Sequence, residues 1–98
     1  MPEMHFVVRW PGGEVVRCYS PSLVVREHIE VGRAYAVGDF VARCRTMLRL
    51  AAERVRARYG FSCSAAMDEL RAIETRAERC DPGASVTVVA FELPHGIP

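Results

Sequence analysis

The clearest structural signal in the chain is MHFVVRWPGGEVVRCYS, residues 4–20. Two runs rich in β-branched and aromatic residues, 4–10 and 14–20, flank Pro11-Gly12-Gly13, whose fixed and permissive backbone angles suit a tight turn. This pattern predicts a β-hairpin. Alternate residues of the first run are large and apolar, which predicts that one face of its strand is buried. These residues are Met4, Phe6, Val8 and Trp10.

A long helix is predicted downstream of the hairpin. Apolar residues recur at helical spacing from Phe40 to Tyr59. Asp39 is placed as its N-cap, and Gly60 is placed to end the helix in the left-handed conformation. Before this helix, residues 21–38 give a weaker pattern that suits one short helical turn over Leu23 to His28.

A second helix is predicted to begin at Ser62 or Ser64 and to stop at Asp81-Pro82-Gly83. Asp68 and Glu69 are placed in its first turn, where the helix dipole favours anions. Its apolar stripe is predicted to consist of Ala66, Leu70, Ile73, Ala77 and Cys80.

The last run, Ser85 to Leu93, alternates loosely and predicts a final strand with apolar residues on both faces. Val86 and Val88 are expected on one face. Val89, Phe91 and Leu93 are expected on the other.

These elements predict a single α+β domain over residues 1–98, with an ordered core at 1–93 and a tail at 94–98. The element order is ββ(α)ααβ, and the predicted three-stranded sheet is covered on one face by two antiparallel helices. The opposite face needs cover from residues 21–38 or from a second subunit, which favours a homodimer.

Composition narrows the function. A chain of 98 residues holds one domain, and with half of its residues hydrophobic and 26% charged it is globular. No uncharged run reaches the roughly 18 residues that a membrane span needs, and an acid stands at Glu3 where a signal peptide carries positive charge. We expect a soluble, cytoplasmic protein without membrane contact. The net charge of +1 argues against nucleic acid as a partner.

The four cysteines are far apart and form neither a Cys-x-x-Cys pair nor a cluster with histidine. Free thiols and no metal site are therefore expected. The sequence also has no Gly-rich phosphate loop and no Asp-rich metal loop, so no cofactor is predicted.

All 13 basic residues are arginine, and six of them lie in residues 40–59 against a single glutamate. Arg45, Arg49 and Arg56 line one flank of the apolar stripe of the first helix. Such residues most often form a solvated flank paired with acids of a neighbouring helix. The alternative is a surface for a small anionic ligand or an acidic partner.

Two loops carry the polar side chains that could form a pocket. One is the exit of the second strand at 17–22, and the other joins the two helices at 59–64, where a helix N-terminus favours a thiolate and can hold an anion. The ordinary interpretation is a core thiol with capping serines. The candidate pocket residues are Arg17, Cys18, Tyr19, Ser20, Ser22, Cys63 and Ser64.

Several stretches of the chain resemble a family of small bacterial nitrogen-starvation response proteins. The most specific are Cys18-Tyr19-Ser20-Pro21-Ser22 and Tyr59-Gly60-Phe61 followed by Ser62-Cys63-Ser64, and Arg9-Trp10-Pro11 and Asp39-Phe40-Val41 also agree. The resemblance implies a gene cluster built around a nitrilase and linked to growth on scarce nitrogen and cyanide. It implies no catalytic residue.

Three functional hypotheses follow. The first is a non-catalytic accessory or interaction protein of that pathway, which associates as a homodimer or with an enzyme of the same gene cluster. The second is a thiol-dependent enzyme or carrier that uses Cys63 or Cys18. The third is a nucleic-acid-binding regulator, based only on the arginines of the first helix.

Overall fold

The sheet is organised around the pairing of its first and last strands. A computed structural model describes residues 2–61 and 64–93. Four antiparallel strands form one sheet: β1 (Met4–Arg9), β2 (Val15–Ser20), β3 (Ala34–Ala36) and β4 (Ser85–Glu92). The first and last strands lie side by side at the centre, and the spatial order is β2-β1-β4-β3.

The predicted hairpin is confirmed. The Gly13 N–H donates to the Trp10 carbonyl at 2.8 Å, and the Trp10 N–H donates to the Glu14 carbonyl at 2.8 Å. Gly13 has φ +92°, the left-handed conformation that closes a three-residue hairpin loop. The predicted inner face of β1 is also confirmed, because the four alternating apolar residues from Met4 to Trp10 are all buried.

The prediction of three strands is wrong, because residues Ala34–Ala36 form a fourth strand at the edge of the sheet. Tyr35 pairs with Val86 of β4, and its side chain is the buried member of the three. A strand of three residues with one large side chain is too short to show alternation. The observed order is therefore ββ, a 3₁₀ helix, β, αα and β.

A β-bulge overturns the expected facing of the last strand. The register of β1 against β4 shifts between Val7 and Val8, so that Val8 pairs with Val88 and Val7 with Ala90, leaving Val89 as the extra residue. Beyond the bulge the alternation is reversed. Phe91 therefore shares the core face with Phe6, its pairing partner, and Leu93 packs against the same core.

Both helices cover one face of the sheet. α1 (Val37–Tyr59) packs on β3 and β4, α2 (Ser64–Ala77) packs on β2, and the two helices pack on each other. A 3₁₀ helix at Leu23–Glu27, which confirms the predicted short turn, packs against α1. Residues of α1 at helical spacing fill the core, as predicted, and α1 ends at Gly60 with φ +78°.

The start of α1 differs from the prediction. The helix begins at Val37, so Asp39 is not its N-cap but lies in the first turn and pairs with Arg43 at 3.0 Å. Backbone carbonyls, and not a capping side chain, accept hydrogen bonds from the first N–H groups of the helix. The Val37 N–H donates to the Ala84 carbonyl at 2.8 Å, and the Gly38 N–H donates to the Pro82 carbonyl at 3.2 Å. The loop before β4 thus caps α1.

The start of α2 also corrects the prediction. The first described residue of the helix is Ser64, and the predicted alternative cap, Ser62, lies outside the described residues, as does the tail at 94–98. Asp68 and Glu69 consequently lie in the second turn and not in the first. The predicted apolar stripe of α2 does face the core: Ala66, Leu70 and Ile73 are buried, and Ala77 and Cys80 pack at its margin.

The outer face of the sheet remains uncovered by the described elements. Of the two covers expected from the sequence, residues 21–38 do not serve, since their 3₁₀ helix packs against α1 on the opposite side and β3 extends the sheet edge. The register of the three longer strands places alternate side chains on the outer face. They are His5, Val7, Arg9, Val15, Arg17, Tyr19, Thr87, Ala90 and Glu92.

Replacing two glycines of the α1 termini by alanine should have opposite effects on stability. Gly38 has ordinary helical backbone angles, and an added Cβ would lie 3.9 Å from the Pro82 oxygen, so Gly38→Ala should stabilise the fold by about 0.5 kcal/mol. Gly60→Ala forces alanine into φ +78° and should destabilise the fold by about 1 kcal/mol. Urea unfolding measures both, and equal shifts would contradict the described end of α1.

Candidate functional site

Alternation along β2 separates the predicted pocket residues. Arg17 and Tyr19 lie on the outer face of the sheet, whereas Cys18 and Ser20 lie on the inner face under the helices. Because neighbouring residues of a strand point to opposite faces, these four side chains are divided between two environments. Ser22 follows them in the turn, and Ser64 is exposed at the start of α2. Cys63 lies outside the described residues.

Cys18 is a buried thiol with 1% of its surface exposed. Burial, reinforced by the nearby Glu69 carboxylate, raises the pKa of Cys18 to about 12. Burial likewise raises the pKa of Cys44 well above its usual value, with smaller contributions from Cys18 and Glu69. Both thiols are therefore protonated at neutral pH, which makes them poor nucleophiles.

The two serines form the turn that follows β2. The Ser20 hydroxyl donates to the Ser22 carbonyl at 2.8 Å and accepts from the Ser22 N–H at 3.3 Å. The Ser22 hydroxyl caps the 3₁₀ helix by accepting from the Val24 N–H at 3.3 Å, and it also accepts from Arg54 at 3.4 Å. These bonds account for two buried hydroxyls structurally.

Cys18 lines a cavity that the sequence did not predict. The cavity has a volume of about 60 Å³, lies between β2 and α2, and has room for a few water molecules. Besides Cys18, Val16 and Ala72, its lining includes Trp10, Glu69, Ile73 and Arg76. The indole Nε1 of Trp10 is buried and has no hydrogen-bond partner among the described residues.

Sequence reasoning missed Glu69 and Arg76 because their importance depends on the edge of the sheet. The Glu69 carboxylate accepts a 2.7 Å hydrogen bond from the Tyr19 N–H, which points away from β1 at the edge strand β2. Two turns later, Arg76 pairs with Glu14 just before β2. The sequence does contain a signal for them, since Glu69 and Arg76 are charged residues seven positions apart beside the apolar stripe of α2. α2 thus closes part of an edge that could otherwise pair with another strand.

The described residues neutralise only part of the predicted arginine surface. Arg45 donates to Glu74 of α2 at 2.7 Å, as the ordinary interpretation expects. The side chains of Arg49 and Arg56 make no ion pair or hydrogen bond within the described ranges 2–61 and 64–93. As far as the described residues go, these two guanidinium groups, seven residues apart on one helix, could therefore bind an anionic group.

The outer face combines apolar and polar groups. The Arg17 guanidinium on β2 pairs with Glu92 on β4, so this ion pair spans β1. The His5 and Tyr19 rings meet edge to face with centroids 5.6 Å apart, and the Tyr19 hydroxyl donates to Glu3 at 3.0 Å. Around them lie apolar residues, of which Val15 is 52% exposed. Such a mixture of aromatic, arginine and aliphatic surface is typical of protein interfaces.

The described part of the chain shows two further properties. None of its helices is long and apolar enough to cross a membrane. The same residues include no group of three or more His, Cys, Asp or Glu side chains that could hold a metal ion.

The fold and its surfaces define a small α+β protein, in which a four-stranded antiparallel sheet carries two helices on one face and has no described element on the other. The chain belongs to the family of the nitrogen starvation-induced protein NitG, whose family model matches residues 5–91. The match includes both helices and all four strands, except for Met4 of β1 and Glu92 of β4. Comparisons with curated proteins and with solved structures found no match to the chain.

Alkylation tests the burial of the thiols. In native protein, Cys18 and Cys44 should react with iodoacetamide at least about 100-fold more slowly than after unfolding in urea, because both are buried and protonated. Peptide mass spectrometry assigns the labelled positions, and partly exposed Cys80 is the internal control. Rapid native labelling of Cys18 would contradict its placement under α2.

The contact between Glu69 and the sheet edge can be tested by substitution. Glu69→Ala removes the acceptor of the Tyr19 N–H and should destabilise the fold by about 1–2 kcal/mol. Asp68→Ala is the matched control, because Asp68 is the neighbouring exposed carboxylate without an ion pair among the described residues, and it should change stability by less than about 0.5 kcal/mol. Urea unfolding at low protein concentration compares them. Equal losses would contradict a role of Glu69 at the sheet edge.

Proposed function

We propose that this protein is a cytoplasmic, non-catalytic interaction protein of the nitrogen-starvation response, and that the outer face of its sheet binds an enzyme of the same pathway. Membership of the NitG family supports the link to nitrogen starvation. The resemblance to proteins encoded beside a nitrilase supports the choice of that enzyme as the partner.

The open outer face of the sheet is the observation that carries the proposal. Both helices and the 3₁₀ helix pack on the opposite side, so the apolar residues of the outer face gain no cover from the described chain. Val7 lies at its centre, Val15 at one edge, and exposed Val89 stands at the bulge of β4. Burying this surface against a partner would add hydrophobic stabilisation.

The polar groups of the outer face would set the orientation of the partner. The ion pair between Arg17 and Glu92 and the contact between His5 and Tyr19 are already formed, so little side-chain order remains to be gained on binding. The partner surface is expected to be apolar at its centre, with polar groups that meet Arg9 and Glu92 at the rim. Acidic groups of the same partner would meet Arg49 and Arg56 if it reaches around to α1.

The alternative hypothesis, a thiol-dependent enzyme or carrier, names Cys18 or Cys63 as its nucleophile. The surroundings of Cys18 do not favour that role. Cys18 lies under α2 with its pKa raised to about 12, beside a cavity too small for more than a few water molecules. A nucleophilic thiol needs exposure and a lowered pKa. A thiol function would therefore depend on Cys63.

Binding to the purified nitrilase tests the proposal. The wild-type chain, immobilised for biolayer interferometry, should bind the enzyme, and Val15→Glu with Val89→Glu should weaken binding by about 30-fold or more, because two charges would be buried against the partner. Val31→Glu is the matched control. Val31 is 51% exposed, close to the 52% of Val15, but lies in the turn before β3. It should bind like the wild type.

Two results would contradict this function. One is the absence of binding by the wild-type chain at concentrations up to about 100 μM. The other is equal weakening by the sheet-face variant and the Val31 control, which would place the contact elsewhere.

A further inference from the structure

The exposed side of α2 carries charges that find no partner among the described residues of the monomer. Asp68, Arg71, Glu78 and Arg79 make no ion pair or hydrogen bond through their side chains within residues 2–61 and 64–93. All four are exposed. Residues of opposite charge three or four positions apart on one helix can pair with each other, but these four do not do so in the described structure. Arg79 lies just beyond the helix, where the Glu78 N–H still donates to the Glu74 carbonyl at 3.1 Å and the Arg79 N–H to the Arg76 carbonyl at 3.1 Å. The chain therefore stays close to helical as far as Arg79.

Four residues form a single stripe along this side, which we call the α2 seam: Asp68, Ala72, Thr75 and Arg79. Their spacing of four, three and four residues is the spacing of a coiled-coil seam. The two central residues are small and exposed, and together with Arg71 and Arg76 they line a shallow depression of about 450 Å³. A second helix could approach closely at this point.

The order of charges along the α2 seam is self-complementary. When two identical helices pack antiparallel about a two-fold axis, positions equally far from the centre meet. Asp68 then faces Arg79 of the other copy, and Ala72 faces Thr75. The ends of the seam are about 16 Å apart along the helix, and each end places opposite charges together.

The residues that flank the seam repeat this complementarity. The two-fold axis keeps each flank on the same side, so Arg71 of one copy lies beside Glu78 of the other, and Glu69 lies beside Arg76. Arg71 and Glu78 have no other ion-pair partner among the described residues, whereas Glu69 and Arg76 already contact Tyr19 and Glu14. Each of these three kinds of charge pair therefore joins opposite charges.

We propose that a second copy of this chain binds along the α2 seam to form an antiparallel, two-fold helix pair. The outer sheet face stays free in this dimer, since α2 lies in the helix layer on the other side of the sheet. The interface is a single helix pair held largely by exposed ions, so its dissociation constant is on the order of 100 μM at low salt and rises with ionic strength.

A charge exchange between the two ends of the seam tests the dimer. Sedimentation velocity of the full chain at low salt, from about 10 μM to 1 mM, should show a concentration-dependent dimer. Asp68→Arg and Arg79→Asp, made singly, place like charges together twice per dimer and should each raise the dissociation constant by about tenfold or more. The double variant D68R/R79D restores opposite charges and should dimerise within about threefold of the wild type.

The controls distinguish the α2 seam from the other surfaces of the chain. Arg49→Asp changes an equally unpaired arginine of α1 outside the seam and should leave dimerisation unchanged, as should Val15→Glu on the outer sheet face. Thermal unfolding at low concentration checks that each variant is folded. A wild-type chain that stays monomeric at about 1 mM, single variants that dimerise like the wild type, or a folded double variant that fails to recover would each overturn the proposal. Dimers lost only with Val15→Glu would place self-association on the sheet face instead.

Discussion

The pairing of β1 with β4 holds the domain together, and the other elements are placed relative to it. It joins residues 5–9 to residues 87–92, so the chain between them leaves the sheet and returns to it within one domain. Its bulge at Val89 reverses the facing of the strand and brings Phe91 under the helices beside Phe6. The core therefore extends to the end of β4, and the carbonyls just before β4 hold the start of α1.

In the described chain, helices cover only one face of the sheet that this pairing organises. Both helices follow β3 and return over a single face, where α2 shields the edge strand through Glu69. The outer face keeps Val7 and Val15 beside the ion pair of Arg17 and Glu92, and Val89 is exposed at the bulge. Burial of the thiol on β2 and the small cavity beside it follow from the same packing. The site that we propose for a partner is thus an open surface of the sheet.

The elements that the sequence predicts correctly depend on neighbouring residues. Alternation from Met4 to Trp10, the turn at Gly13 and the left-handed end of α1 at Gly60 each have a local cause. The features that it does not predict depend on distant partners. β3 exists because β4 pairs with it, and the bulge at Val89 has no local signal. The prediction of a pocket at 17–22 and 63–64 groups residues that are neighbours in the sequence. Neighbouring residues of a strand point to opposite faces, so the predicted residues of β2 are divided between the two faces of the sheet.

Methyl chemical shifts show directly whether the outer sheet face is the surface that binds the nitrilase. In ¹³C-methyl spectra recorded with and without the enzyme, binding at this face should change the signals of Val7, Val15 and Val89 and leave those of Val24 and Val25, the two buried residues of the 3₁₀ helix, unaffected. Changes confined to the helix layer, with silent outer-face methyls, would contradict binding at the sheet.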